Sequence, residues 1–272
     1  MRWPWARRGL GGERIPWPVW RPVVAHPPLR RLGSVDRARL RRLAGGFLRH
    51  KAITPVQGLE LDEGARVLIA AHACLPVLHL GRDYLDGWTE VVVYPGPFRV
   101  RRQRAAPGGV VHEEDRVLSG EAWEQGPLIV SWPDLLEDLQ GHRDPGEVRE
   151  GHHGEHHGAP ELRDGHDVVV HEVAHKIDML NGAANGMPPL HGGVDRKEWT
   201  RVMSAAYRRL ARSLEAGHRP EIDPYAATEP AEFFAVTSEV FFCAPARLRS
   251  AFPGVYRLLA AFYRQDPLAP PA

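Results

Sequence analysis

The chain has 272 residues, 43% hydrophobic and 25% charged, with a formal net charge of +1. This is a globular composition with enough apolar material for a core. It excludes a strong overall field of either sign, so neither anionic lipid nor direct nucleic-acid binding is expected. No run approaches the roughly 18 apolar residues of a membrane span. The basic first eight residues lead into Gly, Glu and Pro rather than an apolar stretch, so the expectation is a soluble cytoplasmic protein.

Residues 1–33 are rich in Arg, Pro and Trp and carry no clear period. They read as a basic N-terminal arm, extended and partly docked through Trp3, Trp5, Trp17 and Trp20. The remainder, 34–268, reads as one domain. Residues 35–50 form a helix with Leu40, Leu43, Ala44, Phe47 and Leu48 on its apolar face, capped by Ser34 or Asp36. A more buried helix spans 62–80, kinked or ended by Pro76. Cys74 and Cys243 lie far apart in apolar segments and read as buried free thiols of a reducing compartment. Thr89–Tyr94 is a strand closed by Pro95-Gly96-Pro97. The basic run Arg99–Arg104 is an exposed strand end or loop, and 116–123 and 127–132 are further strands. Residues 141–166 hold six histidines among Gly, Glu and Asp with almost nothing apolar, so the segment at about 144–165 reads as a polar loop insert. Helices then dominate, at about 167–180, 194–216, 229–243 and 245–264. Strands before helices predict an α+β fold, with a small strand region in the N-terminal half and a mainly helical C-terminal half.

The first of these late helices carries His171-Glu172-Val173-Ala174-His175. Residues i and i+4 share a helix face, so both imidazoles can reach one ion. Zinc takes nitrogen ligands in a four-coordinate site. Glu172, offset from both histidines, is placed as a general base for metal-activated water. Asp167 is a good helix start and Asn181-Gly182 a good stop. Lys176 is less comfortable on a buried helix and would snorkel outward. The third ligand is sought between Asp223 and Glu239, where Thr228 caps a helix beginning near Pro230. Glu232 lies among Phe233, Phe234 and Val236, where an unpaired acid is costly. Glu239, two turns on, could orient a histidine. On spacing alone, Glu229 and Glu232 serve equally well as acids complementing the helix N-terminus.

Several stretches resemble the Mlc titration factor A family of zinc metallopeptidases. They are Trp3-Pro-Trp5, Gln57-Gly-Leu-Glu-Leu61, Cys74-Leu-Pro-Val-Leu78, Tyr94-Pro-Gly-Pro-Phe98, Gln125-Gly-Pro127, His171-Glu-Val-Ala-His-Lys-Ile-Asp178 with Asn181-Gly182, and Tyr225-Ala-Ala-Thr-Glu-Pro-Ala-Glu-Phe-Phe-Ala-Val-Thr-Ser-Glu239. The resemblance implies a zincin-like, gluzincin-type site with His171, His175 and Glu232 as zinc ligands and Glu172 as catalytic base. It also implies Tyr225 near the metal, as in anthrax lethal factor, where its phenol could donate to an oxyanion; without the resemblance Tyr225 reads as packing. Asp178 matches as well, as an outer partner of the site or simply as a helix terminator, and Lys176 fits the family. The histidine-rich insert is longer than the family leads one to expect. The implied function is an aminopeptidase-like zinc peptidase acting on peptide or small aminoacyl substrates. Two alternatives are a binding protein that sequesters a transcriptional repressor and a metal buffer built on the insert.

Overall fold

The structure, a computed structural model, describes residues 15–96, 98–105, 111–118, 120–122, 126–140 and 166–270. The arm as far as residue 14 and the insert at 144–165 lie outside them.

Nine helices and six strands are described: α1 (Trp17–Val23), α2 (Ser34–His50), β1 (Ala52–Pro55), α3 (Glu63–Cys74), β2 (Glu90–Tyr94), β3 (Phe98–Ala105), β4 (Val111–Leu118), β5 (Gly120–Ala122), β6 (Leu128–Ser131), α4 (Trp132–Gln140), α5 (Val168–Asp178), α6 (Arg196–Glu215), α7 (Pro230–Cys243), α8 (Pro245–Ala251) and α9 (Pro253–Tyr263). The fold is α+β. Its four-stranded sheet runs β1-β2-β6-β5. β1, β2 and β6 are parallel, with Ile53 opposite Val91 and Val91 opposite Leu128, and β5 returns antiparallel to β6. β3 and β4 form a separate antiparallel ribbon.

Trp17–Val23 departs from the extended arm that the sequence suggested. Pro18, at the second helical position, leaves no donor orphaned there, and the turn lets Trp20 and Val23 bury against the core. Trp17 does not dock; it is 57% exposed, with the Arg41 guanidinium 5.6 Å from its ring centroid. α3 ends at Cys74, before Pro76, as a proline in the next turn requires. Neither Cys74, fully buried, nor Cys243, partly buried, forms a disulfide among the described residues, and burial pushes the Cys74 thiol up.

Two buried helices, α5 and α7, pack against each other at the centre. α7 buries every residue from Ala231 to Phe242, so it shows no polar face. It is gripped by aromatics: Trp199 of α6 and Phe262 of α9 stack edge-on or tilted against Phe234, with ring centroids 5.9 and 6.2 Å away. Such pairs contribute about 0.5–1.5 kcal/mol each beyond area burial. The helix that carries Glu232 is thereby a fixed platform rather than a surface element. Among the described residues no helix is long and apolar enough to cross a membrane.

Candidate metal centre

α5 starts where the sequence places its cap. The Asp167 carboxylate accepts from the Val170 backbone N–H at 3.0 Å, satisfying an orphan donor of the first turn. The helix then presents His171 and His175 on one face, with imidazole centroids 4.8 Å apart. α7 supplies Glu232 from the opposite side. Its Oε2 lies 3.2 Å from His171 Nε2 and 3.1 Å from His175 Nε2, and the two Nε2 atoms are 3.1 Å apart. Two donor atoms from α5 and one from Glu232, 57 and 61 positions further along the chain, thus converge within 4.8 Å of one another. Two imidazole nitrogens and one carboxylate oxygen suit zinc, and three protein donors leave a coordination position for water or substrate.

The electrostatics fit a cation at this point. Burial opposes charge on His171, but Glu239 and Glu232 outweigh it and hold its pKa well above the ordinary imidazole range. Burial likewise opposes ionisation of Glu232, which is 6% exposed, yet His175 and His171 hold its carboxyl well below the usual carboxylate range. The charged carboxylate is therefore the stable form.

Glu239 lies two turns beyond Glu232 on the same helix. Its Oε2 accepts from His171 Nδ1 at 2.9 Å, which leaves Nε2 facing the donor cluster, and its Oε1 accepts from the Asp167 backbone N–H at 3.0 Å. Glu172 is 3% exposed and, one residue on from His171, is set to the side of the histidine face by its helical offset. Lys176 does not snorkel. It is 3% exposed, its Nζ donates to the Gly126 carbonyl at 2.8 Å and lies 5.9 Å from the Trp88 ring centroid, and burial lowers its pKa to about 8 against the opposing pull of Glu172. A carbonyl and an aromatic face inside the fold stabilise the ammonium that was expected to reach solvent.

Tyr225 sits on the turn before α7, whose start is fixed by Asp223 accepting from the Tyr225 N–H at 2.8 Å. Its ring centroid lies 6.3 Å from that of His171. Thr228 does not cap α7. Its hydroxyl donates back to the Tyr225 carbonyl at 2.8 Å, so it closes the preceding turn, and Glu229 occupies the cap position without a side-chain bond.

Asp178 ends α5 and does more than stop it. Its fully buried carboxylate accepts from the backbone N–H groups of Asn185 and Gly186, both at 2.7 Å. Burial raises its pKa, and those two N–H groups oppose the rise. Gly186, at φ +79°, then lies against the start of α7 so closely that a Cβ there would meet the Pro230 carbonyl oxygen at 2.4 Å. Nothing local in the sequence signals this contact. Gly186→Ala should cost about 2–4 kcal/mol, combining positive-φ strain with displacement of the turn that precedes Glu232. Thermal denaturation should show a midpoint lower by roughly 5–15 °C; an unchanged midpoint would mean that the loop and α7 do not press on each other.

An α+β fold that sets a buried His-Glu-Val-Ala-His helix against a second helix bearing a buried glutamate defines a protein of the metallopeptidase class. The chain belongs to the glucose-regulated metallo-peptidase M90 family, whose model matches residues 2–264. Curated relatives agree. Mlc titration factor A of Salmonella agona (strain SL483) is 37% identical over 272 residues, spanning 98% of this chain and 92% of its own. Mlc titration factor A of Salmonella arizonae is 36% identical over 272 residues, spanning 98% of both chains.

Proposed function

We propose that the protein is a zinc-dependent, aminopeptidase-like hydrolase, with the metal held by His171, His175 and Glu232. The single observation that carries this reading is the convergence of those three donors within 4.8 Å on two buried helices. Zinc held there by His171, His175 and Glu232 would supply Lewis acidity toward water and a scissile carbonyl. Glu172, beside the histidine face, takes the proton of the attacking water and delivers it to the leaving amine. The Tyr225 hydroxyl, from the turn next to His171, donates to the oxygen that gains charge in the tetrahedral state. β5 packs against α5 and, among the described residues, pairs only with β6. Its second backbone edge suits an extended peptide added as a further strand.

The test uses the purified full chain, stripped with a chelator and reloaded with one equivalent of zinc, on a panel of aminoacyl anilides and short peptides. Hydrolysis that disappears with the metal and returns with zinc is expected. A zinc-loaded protein that cleaves none of them overturns the peptidase reading.

A second reading rests on the name of the relatives, which makes them titration factors for Mlc. Association with a repressor protein is compatible with the same fold and does not require turnover. Binding of purified Mlc by the Glu172→Gln variant would separate the two activities; no binding by parent or variant would remove this reading.

A further inference from the structure

His72 is a buried polar residue that the peptidase reading leaves unused. It lies on α3 between Ala71 and Ala73, is fully buried, and stands 95 positions from the residue it meets. Its Nδ1 lies 2.5 Å from Asp167 Oδ2. Its Nε2 is buried and has no hydrogen-bond partner among the described residues, so the imidazole proton belongs on Nδ1 and is donated to Asp167. An apolar side chain would fill this position in an Ala-rich, buried helix without the desolvation cost of a histidine and a carboxylate.

We propose that His72 is a positioning residue for the candidate metal centre, acting on His171 through Asp167 and Glu239. The inference rests on the reading of His171, His175 and Glu232 as the metal site. Asp167 holds two bonds with its carboxylate, to Val170 N–H at the helix start and to His72, and these fix the backbone in its extended cap conformation at φ −159°. That conformation aims the Asp167 N–H at Glu239 Oε1, and the other oxygen of Glu239 receives His171 Nδ1. Three consecutive hydrogen bonds of 2.5, 3.0 and 2.9 Å therefore run from α3 to the imidazole of α5 by way of α7. Partners that orient a metal-ligating imidazole set its tautomer and direction, and their loss weakens metal binding.

Zinc dissociation constants measured by competition with a chromophoric chelator, together with the cobalt-substituted visible spectrum, test the chain of bonds. His72→Leu removes the donor. His72→Gln keeps a polar side chain but sets its amide where Nε2 was, and His72→Asn sets it where Nδ1 was. Leu and Gln should weaken zinc binding about tenfold and shift the cobalt bands, whereas Asn should stay within about threefold of the parent. In a Glu239→Gln background, His72→Leu should add less than about twofold, because the link to His171 is already broken. Parent-like affinity for Leu or Gln, equal losses for Asn and Gln, or losses that multiply in the double variant each overturn the proposal. If Leu does not fold, the contrast between Gln and Asn decides. A parent that binds no zinc, or a His171→Ala variant that binds it unimpaired, overturns the site reading itself; parent-like His72 variants beside an impaired His171→Ala overturn the positioning role alone.

Discussion

Glu172→Gln should keep its zinc and its thermal midpoint while hydrolysis falls by about 10²–10⁴-fold, the usual contribution of a positioned general base. The side chain is isosteric and Glu172 is outside the converging donor set, so neither metal retention nor packing should change. What the amide cannot do is accept a proton. Glu172 is 3% exposed, so the substitution opens no new surface and bulk water has little room to stand in for the lost carboxylate. The Lys176 ammonium lies one helical turn further along the same face and loses a favourable neighbour. It keeps the Gly126 carbonyl, which limits any loss of stability. Steady-state kinetics with an aminoacyl anilide, alongside metal analysis of the same preparation, give the decisive comparison. A variant that cleaves as fast as its parent removes Glu172 from the chemistry, and one that has lost its zinc makes it a metal-site residue instead.

The elements that announce themselves in the sequence are those whose stability is local. α2 carries apolar spacing with a period of one helical turn, and the aspartate that caps α5 is where the sequence places a cap. α7 was legible for a different reason: a long apolar run after a proline could only be a buried helix. Elements defined by tertiary pairing were less visible. β1, Ala52–Pro55, is too short to show alternation and is a strand because β2 lies beside it. α4 begins at Trp132, where the strand reading ran on by one residue, because Pro133 suits a helix start as well as a strand end. The stretch 245–264 divides at Phe252-Pro253 into two helices, since a proline cannot continue the first. The site shows the same division. The pentapeptide and the buried acid of α7 are short-range signals, whereas His72 with Asp167, and Gly186 with Pro230, meet only because α3, α5 and α7 are packed together. A histidine inside an apolar helix was the available hint for the first pair, because a buried imidazole needs a partner; the second left no hint beyond a glycine.

Glu232→Ala should remove the metal more completely than any change outside the donor set. Loss of an outer partner typically costs 10–100-fold in metal affinity. Here a donor is deleted, leaving two imidazoles from a single helix and nothing from α7. The consequence reaches stability, because a ligand that binds only the folded chain stabilises it by mass action. At zinc concentrations about 1,000 times the dissociation constant this is about 4 kcal/mol, on the order of 10 °C in thermal midpoint for a chain of this size. The parent should show that rise on adding zinc, and Glu232→Ala should show almost none. In the metal-free state the comparison changes character. Glu232 is ionised and sits against His171, which its two carboxylate neighbours keep protonated; deleting Glu232 leaves Glu239 as the remaining anion beside that imidazole. The metal-free variant should therefore be modestly less stable than the metal-free parent, not unfolded. Differential scanning calorimetry of both proteins with and without zinc separates the two effects. An equal zinc-induced rise in both would show that the third ligand is some other group and that α7 contributes packing alone.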